Sequence, residues 1–176
     1  MCKLVSEWQR CVEFHGHECP GLAMGVKACE AAREKMNITF SKDEEVVCVT
    51  ENDACGVDAI QVITGCTFGK GNLIYKGTGK MAFSFFNRSN GESLRMIVKD
   101  PTEEMDRKQR QEYILNSSVD KIFSFSKPTF SLPEKARIFT TIACENCGEG
   151  APEYKMRMND GKMVCLDCFK DYSRGW

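Results

Sequence analysis

No run of 18 uninterrupted apolar residues occurs in this 176-residue chain, so the sequence offers no membrane-spanning helix. It also lacks an excess of charge of either sign. Twenty-four Lys and Arg stand against 25 Asp and Glu, for a formal net charge of -1. That balance argues against a nucleic-acid-binding surface spread over the protein. Charge comes early at the N-terminus, with Lys3 and Glu7, and leaves no room for a signal-peptide hydrophobic region. These absences point to the cytoplasm as the compartment. There is no internal repeat and no low-complexity tract. Histidine is scarce, with two in the chain, His15 and His17.

What is present gives that scarcity its meaning. Both histidines lie in Phe14-His15-Gly16-His17-Glu18-Cys19-Pro20-Gly21. Imidazole nitrogen and thiolate sulfur are the side-chain ligands preferred by borderline and softer transition metals, and His17-x-Cys19 places both types on one tight loop. The alternative is local packing of His15 and an ordinary buried thiol at Cys19. With the histidines committed here, no Ser-His-Asp arrangement can be argued. The chain also holds eleven cysteines. In a reducing compartment such a number points to metal or redox chemistry more than to disulfides. Cys11, Cys29 and Cys48 sit among apolar residues and read as small core residues. Cys19, Cys55, Cys66 and the four C-terminal cysteines are the candidates for chemistry.

Helical periodicity predicts helices over 3–14, from Pro20 to about Met36, over 54–63, and from a cap at Asp100-Pro101 to about Leu115, with a short segment to about Phe125. Residues 45–50 read as a buried strand. Residues 72–76, 80–86 and 93–99 read as an antiparallel meander, and 137–143 as a short strand. The expected fold class is therefore α+β, an antiparallel sheet packed with helices, plus a small C-terminal zinc-ribbon or treble-clef-like domain. The domain division is 1–130 and 131–176, with 126–133 either a linker or a segment packed on the core. Asn52-Asp53 supplies an N-cap, which sets Cys55 in a first helical turn where the dipole and free N–H groups favour a thiolate.

Cys144-x2-Cys147 and Cys165-x2-Cys168 are separated by 17 residues, the spacing of a four-thiolate zinc site. Four thiolates close a tetrahedral, structural site, and so short a segment with few large apolar groups depends on that metal to fold. Acidic residues around it outnumber basic ones, so a protein partner is a better expectation than nucleic acid. Gly65-Cys66-Thr67-Phe68-Gly69-Lys70-Gly71-Asn72 looks like a phosphate loop but fails on spacing, with three residues between Gly65 and Gly69 and no helix following. Lys70 and its glycines remain either an anion cradle or a tight turn.

Four motifs occur in a fixed order: His15-Gly-His17-x-Cys19-Pro-Gly21, Asp53-x-Cys55-x-x-Asp58-x-x-Gln61, Thr64-Gly-Cys66-Thr-x-Gly69-Lys70-Gly-Asn72 and Gly79-Lys80-x-Ala82-Phe83. With the ribbon, they resemble the FmdE family, the E component of formylmethanofuran dehydrogenase, a tungsten- or molybdenum-dependent enzyme. The resemblance covers nearly the whole chain. It implies a homodimer and a core site for zinc or another transition metal on His17, Cys19 and Cys55, with His15 and Cys66 close by. It also implies an accessory or subunit role beside larger oxidoreductase subunits. No pterin-binding domain fits in this length. Two alternatives stand beside that role. One is a free-standing metalloenzyme acting on a small anionic substrate, with Cys55, Asp58 and Lys70 at its reactive centre. The other is a thiol redox protein using Cys55 and Cys66. No nucleic-acid or membrane partner is expected.

Overall fold

The structure, a computed structural model, describes residues 2–99 and 104–172, with side chains from residue 7 onward. The chain forms two compact units, Met1–Ala136 and Arg137–Trp176, so the division falls after Ala136 rather than after residue 130. The 126–133 segment packs on the first unit: Phe130 lies 5.8 Å from the Phe86 ring, and the Pro133 carbonyl accepts from Arg88.

In the first unit, helices α1 (Cys2–His15) and α2 (Pro20–Met36) precede strand β1 (Val46–Thr50) and helix α3 (Gly56–Thr64). Then come β2 (Leu73–Tyr75), β3 (Ala82–Asn87), β4 (Ser93–Val98), α4 (Arg107–Asn116), α5 (Val119–Ile122) and β5 (Phe123–Ser126). The sheet order is β2-β1-β3-β4-β5, with β1 and β2 parallel and the remaining pairs antiparallel. The expected meander is thus corrected at one point: β1 inserts between β2 and β3, and the sheet is mixed. Every residue of Val46-Val47-Cys48-Val49-Thr50 is buried, so the strand needs cover on both faces and a neighbour on each edge. A central position supplies both. Residues 123–126, expected to continue a helical segment, instead form the edge strand β5, where alternating Phe123 and Phe125 suit a pleated half-buried surface.

Helix α2 is the hub of the core. Residues Leu22 to Cys29, Ala31 and Ala32 are all buried, and the run of alanine and glycine lets neighbours approach closely. Against it pack α1 through Cys11 and Trp8, α3 through Ala59 and Ile60, and the inner face of the sheet through Phe83, Phe85 and Met96. Helix α4 begins at Arg107 with a capping box formed by Asp106 and Gln109, later than the expected cap at Asp100, and residues 100–103 lie outside the described residues. No helix among the described residues is long and apolar enough to cross a membrane.

One buried ion pair gives the sheet a measurable pH dependence. Glu51, 4% exposed, accepts from Arg95 Nε at 2.7 Å and from the Thr78 hydroxyl at 2.8 Å. The Arg95 hydrogen bond holds its carboxyl below the ordinary glutamate range, against the opposing effect of burial. A depressed folded-state pKa stabilises the fold above the unfolded value, about 4.3, and that stability is lost as pH falls through the folded value. Arg95→Ala is expected to cost about 2 kcal/mol at pH 7, because the carboxylate stays buried without its charged partner. Urea titrations from pH 7 to pH 3 should show the parent losing more stability than the variant.

The second unit contains β6 (Thr141–Ala143) paired with β7 (Gly150–Pro152), and β8 (Arg157–Asn159) paired with β9 (Lys162–Val164). Between β8 and β9, Asp160 and Gly161 both take positive φ, the two-residue turn whose twist matches a hairpin. The strand expected over 137–143 is confined to its last three residues.

Candidate metal centre

The C-terminal centre is built by two knuckles. The Gly148 N–H donates to the Cys144 carbonyl and the Cys168 N–H to the Cys165 carbonyl, turns that aim each pair of sulfurs to one side. The Sγ atoms of Cys144, Cys147, Cys165 and Cys168 all lie within 4.8 Å of one another. Backbone N–H groups of Asn146 and Cys165 point at the Cys144 sulfur, each at 3.4 Å. Backbone N–H groups donating from Cys147 and Cys165 pull the Cys144 thiol down to about 6. The Cys144 thiol is thus biased towards the thiolate, whereas the neighbouring sulfurs push Cys147 up to about 12 and Cys168 upward, and four cysteine sulfurs so placed fit a closed zinc site.

The second centre lies in the first unit, where α1 turns into α2. Gly16, at φ +89, breaks α1 and lets the chain reverse. Cys19 is the N-cap of α2: its Sγ accepts the Leu22 N–H at 3.2 Å, and Pro20 fills the first helical position. His15, His17 and Cys19 each present a donor atom, and these atoms lie within 4.8 Å of one another. A tetrahedral ion with ligands at about 2.0–2.3 Å spaces its donors by roughly 3.5 Å, so modest rotamer adjustment closes the set. His15 Nδ1 is 2.6 Å from Asp58 Oδ2, and Gln61 lies against the other oxygen of Asp58. That contact turns His15 Nε2 towards Cys19 Sγ, 3.8 Å away. A carboxylate behind an imidazole fixes its tautomer and raises its basicity as a ligand. The donors and their support fit a transition metal.

The resemblance implies ligands at His17, Cys19 and Cys55, with His15 and Cys66 close by. The structure puts His15 with His17 and Cys19, and sets Cys55 against Cys19 at the head of α3. A methyl group on Gly21 would lie 3.6 Å from the Cys55 sulfur and 3.8 Å from the Cys19 sulfur. The expectation of a lowered Cys55 pKa is corrected. Its thiol is raised, first by burial and then by its hydrogen bond with Cys19, and these outweigh the helix start. Asp58, expected at the reactive centre, is engaged in orienting His15. Glu18 is held on α4 by Gln111.

Cys66 and Lys70 are placed at the opposite end of α3 from Cys55. Lys70 Nζ donates to the Ser41 carbonyl at 2.8 Å, and the Ser41 N–H donates to Thr64 at the end of α3. Cys66 is fully buried, donates to the Val46 carbonyl, and is pushed by burial up to about 11. A nine-residue helix, about 13 Å long, separates these residues from Cys55, so direct thiol exchange between Cys55 and Cys66 has no geometric support. The glycine loop is a turn: Gly65 at φ +72 ends α3, and buried Asn72 donates to the carbonyls of Asp43 and Val46. Burial likewise raises Cys11 to about 11, and Cys29 and Cys48 well above the ordinary thiol value, as core cysteines.

Comparison with known proteins matches this architecture. Residues 14–124 match the family model described as FmdE, Molybdenum formylmethanofuran dehydrogenase operon, and 137–174 match the prokaryotic dksA/traR C4-type zinc finger. A probable S-adenosyl-L-methionine-binding protein of Archaeoglobus fulgidus is 31% identical over 203 aligned positions, which take in 97% of this chain. The chain spans about half the length of that curated relative, 54%. An FmdE-like protein of the tungsten formylmethanofuran dehydrogenase type, from Syntrophus aciditrophicus, shares the fold, with a TM-score of 0.69 at 22% identity. That alignment covers 94% of this chain and 91% of the other.

Proposed function

We propose that this chain, which belongs to the FmdE family, is a two-centre metal protein serving a molybdenum or tungsten oxidoreductase system. Its C-terminal C4 zinc finger binds zinc structurally. Its core centre, on His15, His17 and Cys19, holds zinc or another transition metal. The observation that carries the core reading is the Asp58–His15 contact at 2.6 Å, which presets one ligand of a three-donor group before any metal binds. The finger, in which acidic residues outnumber basic ones between Cys144 and Cys168, is the surface for docking a larger oxidoreductase subunit, and the protein acts as a homodimer.

A free-standing metalloenzyme is the second reading, and the number of donors favours it. Three protein ligands leave a coordination position open, where a bound metal supplies Lewis acidity or an activated water. His15, His17 and Cys19 would hold the ion, Asp58 would keep the Nδ1 proton of His15, and Cys55 would stand beside Cys19 as a protonated thiol. S-adenosyl-L-methionine binding, carried by the name of the A. fulgidus protein, is assigned to neither reading, because nearly half of that protein has no counterpart here.

Asp58→Ala is expected to weaken core metal binding by about 10–100-fold while leaving the zinc finger loaded. Competition of cobalt(II) against a chelator measures this, and an unchanged core affinity would contradict the role of Asp58. Copurification with a large pterin-holding subunit supports the accessory role, and its absence from native extracts favours the lone enzyme.

A further inference from the structure

A cavity of about 430 Å³ lies between α2, α4 and the sheet, within the size range of small-molecule sites. Its lining divides into two chemistries. Met24, Met81, Met105, Val98 and Ile114 are apolar, and the three methionines are polarizable and adaptable in shape. Arg107 and Arg110 supply the charge. Spaced three and four residues apart, Arg107, Arg110 and Ile114 share one face of α4. Both arginines are exposed, and neither guanidinium has a partner among the described residues. Of the nearby carboxylates, Asp106 accepts from the Lys108 and Gln109 N–H groups, Glu18 accepts from Gln111, and Glu104 is exposed beside Met105.

Pro20 and Gly21, at the start of α2, also line the cavity. Gly21 has no side chain, and the sulfurs of Cys55 and Cys19 lie within 4 Å of where its Cβ would be. Gly21 thus borders both the cavity and the thiol edge of the core centre.

We propose that this cavity binds a small organic anion with an apolar body. Its oxyanion head pairs with Arg107 and Arg110, its body packs on the methionines, and its far end reaches Gly21 beside Cys19 and Cys55. The inference deepens the core-centre reading and rests on it only for where the apolar end is delivered.

The test uses the full chain labelled with ¹³C at the methionine methyl groups, titrated with octanoate, octan-1-ol and inorganic phosphate, each signal assigned by a single Met→Leu substitution. Octanoate is expected to shift the Met24, Met81 and Met105 signals and to bind about tenfold or more weakly to an Arg107→Ala/Arg110→Ala chain, the loss of charge-assisted pairing. Octan-1-ol is expected to bind more weakly than octanoate and to be indifferent to the double substitution. Both arginines are exposed, so the variant should remain folded. Equal binding of octan-1-ol and octanoate, full octanoate affinity in the double variant, shifts confined to other methionines, or phosphate binding as tightly as octanoate would each overturn the proposal. Octanoate binding should persist in His17→Ala. A parent chain that takes octanoate here yet holds no core metal would therefore sink the metal reading and leave the cavity assignment standing.

Discussion

Cys144→Ser, or a chelator strong enough to strip the finger, is expected to unfold residues 137–172 while the first unit keeps its helices and sheet. Among the described residues of this unit, the buried apolar side chains, cysteines apart, are Met156 and Val164. Each contributes roughly 1.5–3 kcal/mol. Ordering the segment costs about 1–2 kcal/mol per residue, far more than those two can offset even with backbone hydrogen bonds. Structural zinc in comparable small domains contributes about 10–16 kcal/mol at neutral pH, enough to decide whether the unit folds. Amide NMR spectra before and after chelation measure the outcome: signals of 137–172 collapse to random-coil positions, and the rest stay dispersed. Retention of the 137–172 dispersion without metal would show that the finger has a core sufficient by itself.

The second large effect belongs to Gly25, where α2 crosses the start of α3. A Cβ placed there would lie 2.0 Å from the Gly56 carbonyl oxygen and 2.6 Å from the Gly56 Cα. Those are backbone atoms, so no rotamer change relieves the clash, and the two helices must move apart. Gly25→Ala is therefore expected to cost about 4 kcal/mol or more, beyond the usual range for overpacking. The same displacement carries Cys55 away from Cys19, since Cys55 sits immediately before Gly56. A urea midpoint reports the stability, and the rate of alkylation at Cys55 reports its separation from Cys19. Near-parental stability in Gly25→Ala would mean that the crossing is looser than this packing implies.

Much of the architecture is legible in the residues. The 17-residue spacing between Cys147 and Cys165 signals the finger, because knuckle geometry is local. Helix α2 reads clearly from Pro20 and its small residues. The position of β1 is not local: five buried residues demand neighbours on both edges, but nothing nearby says that β2 pairs with it in parallel. The metal centre divides in the same way. His15, His17 and Cys19 sit in one short stretch and are visible at once, whereas the partner that sets His15, Asp58, comes 43 residues later. The sequence places Asp58 among the candidate site residues, but its spacing on α3 does not say which imidazole it meets. Cys55 shows the limit of a local rule: its place at a helix start is right, yet burial and Cys19 reverse the expected direction of its pKa. The lysine-glycine loop fails as a phosphate site on spacing, and Lys70 proves to be tied to the Ser41 carbonyl. Arg107 and Arg110 carry no sequence signal, since two exposed arginines on a polar helix look like any solvated face until a cavity is seen beneath them.

The first unit is expected to hold a metal centre of its own, in addition to that of the finger. Metal content per folded chain, measured by mass spectrometry after anaerobic purification, tests it most directly when the parent is compared with His15→Ala/His17→Ala. Two metal ions per parent chain and one per variant chain, with zinc retained in the finger, is the result expected of two centres. One ion per chain in both proteins would contradict it.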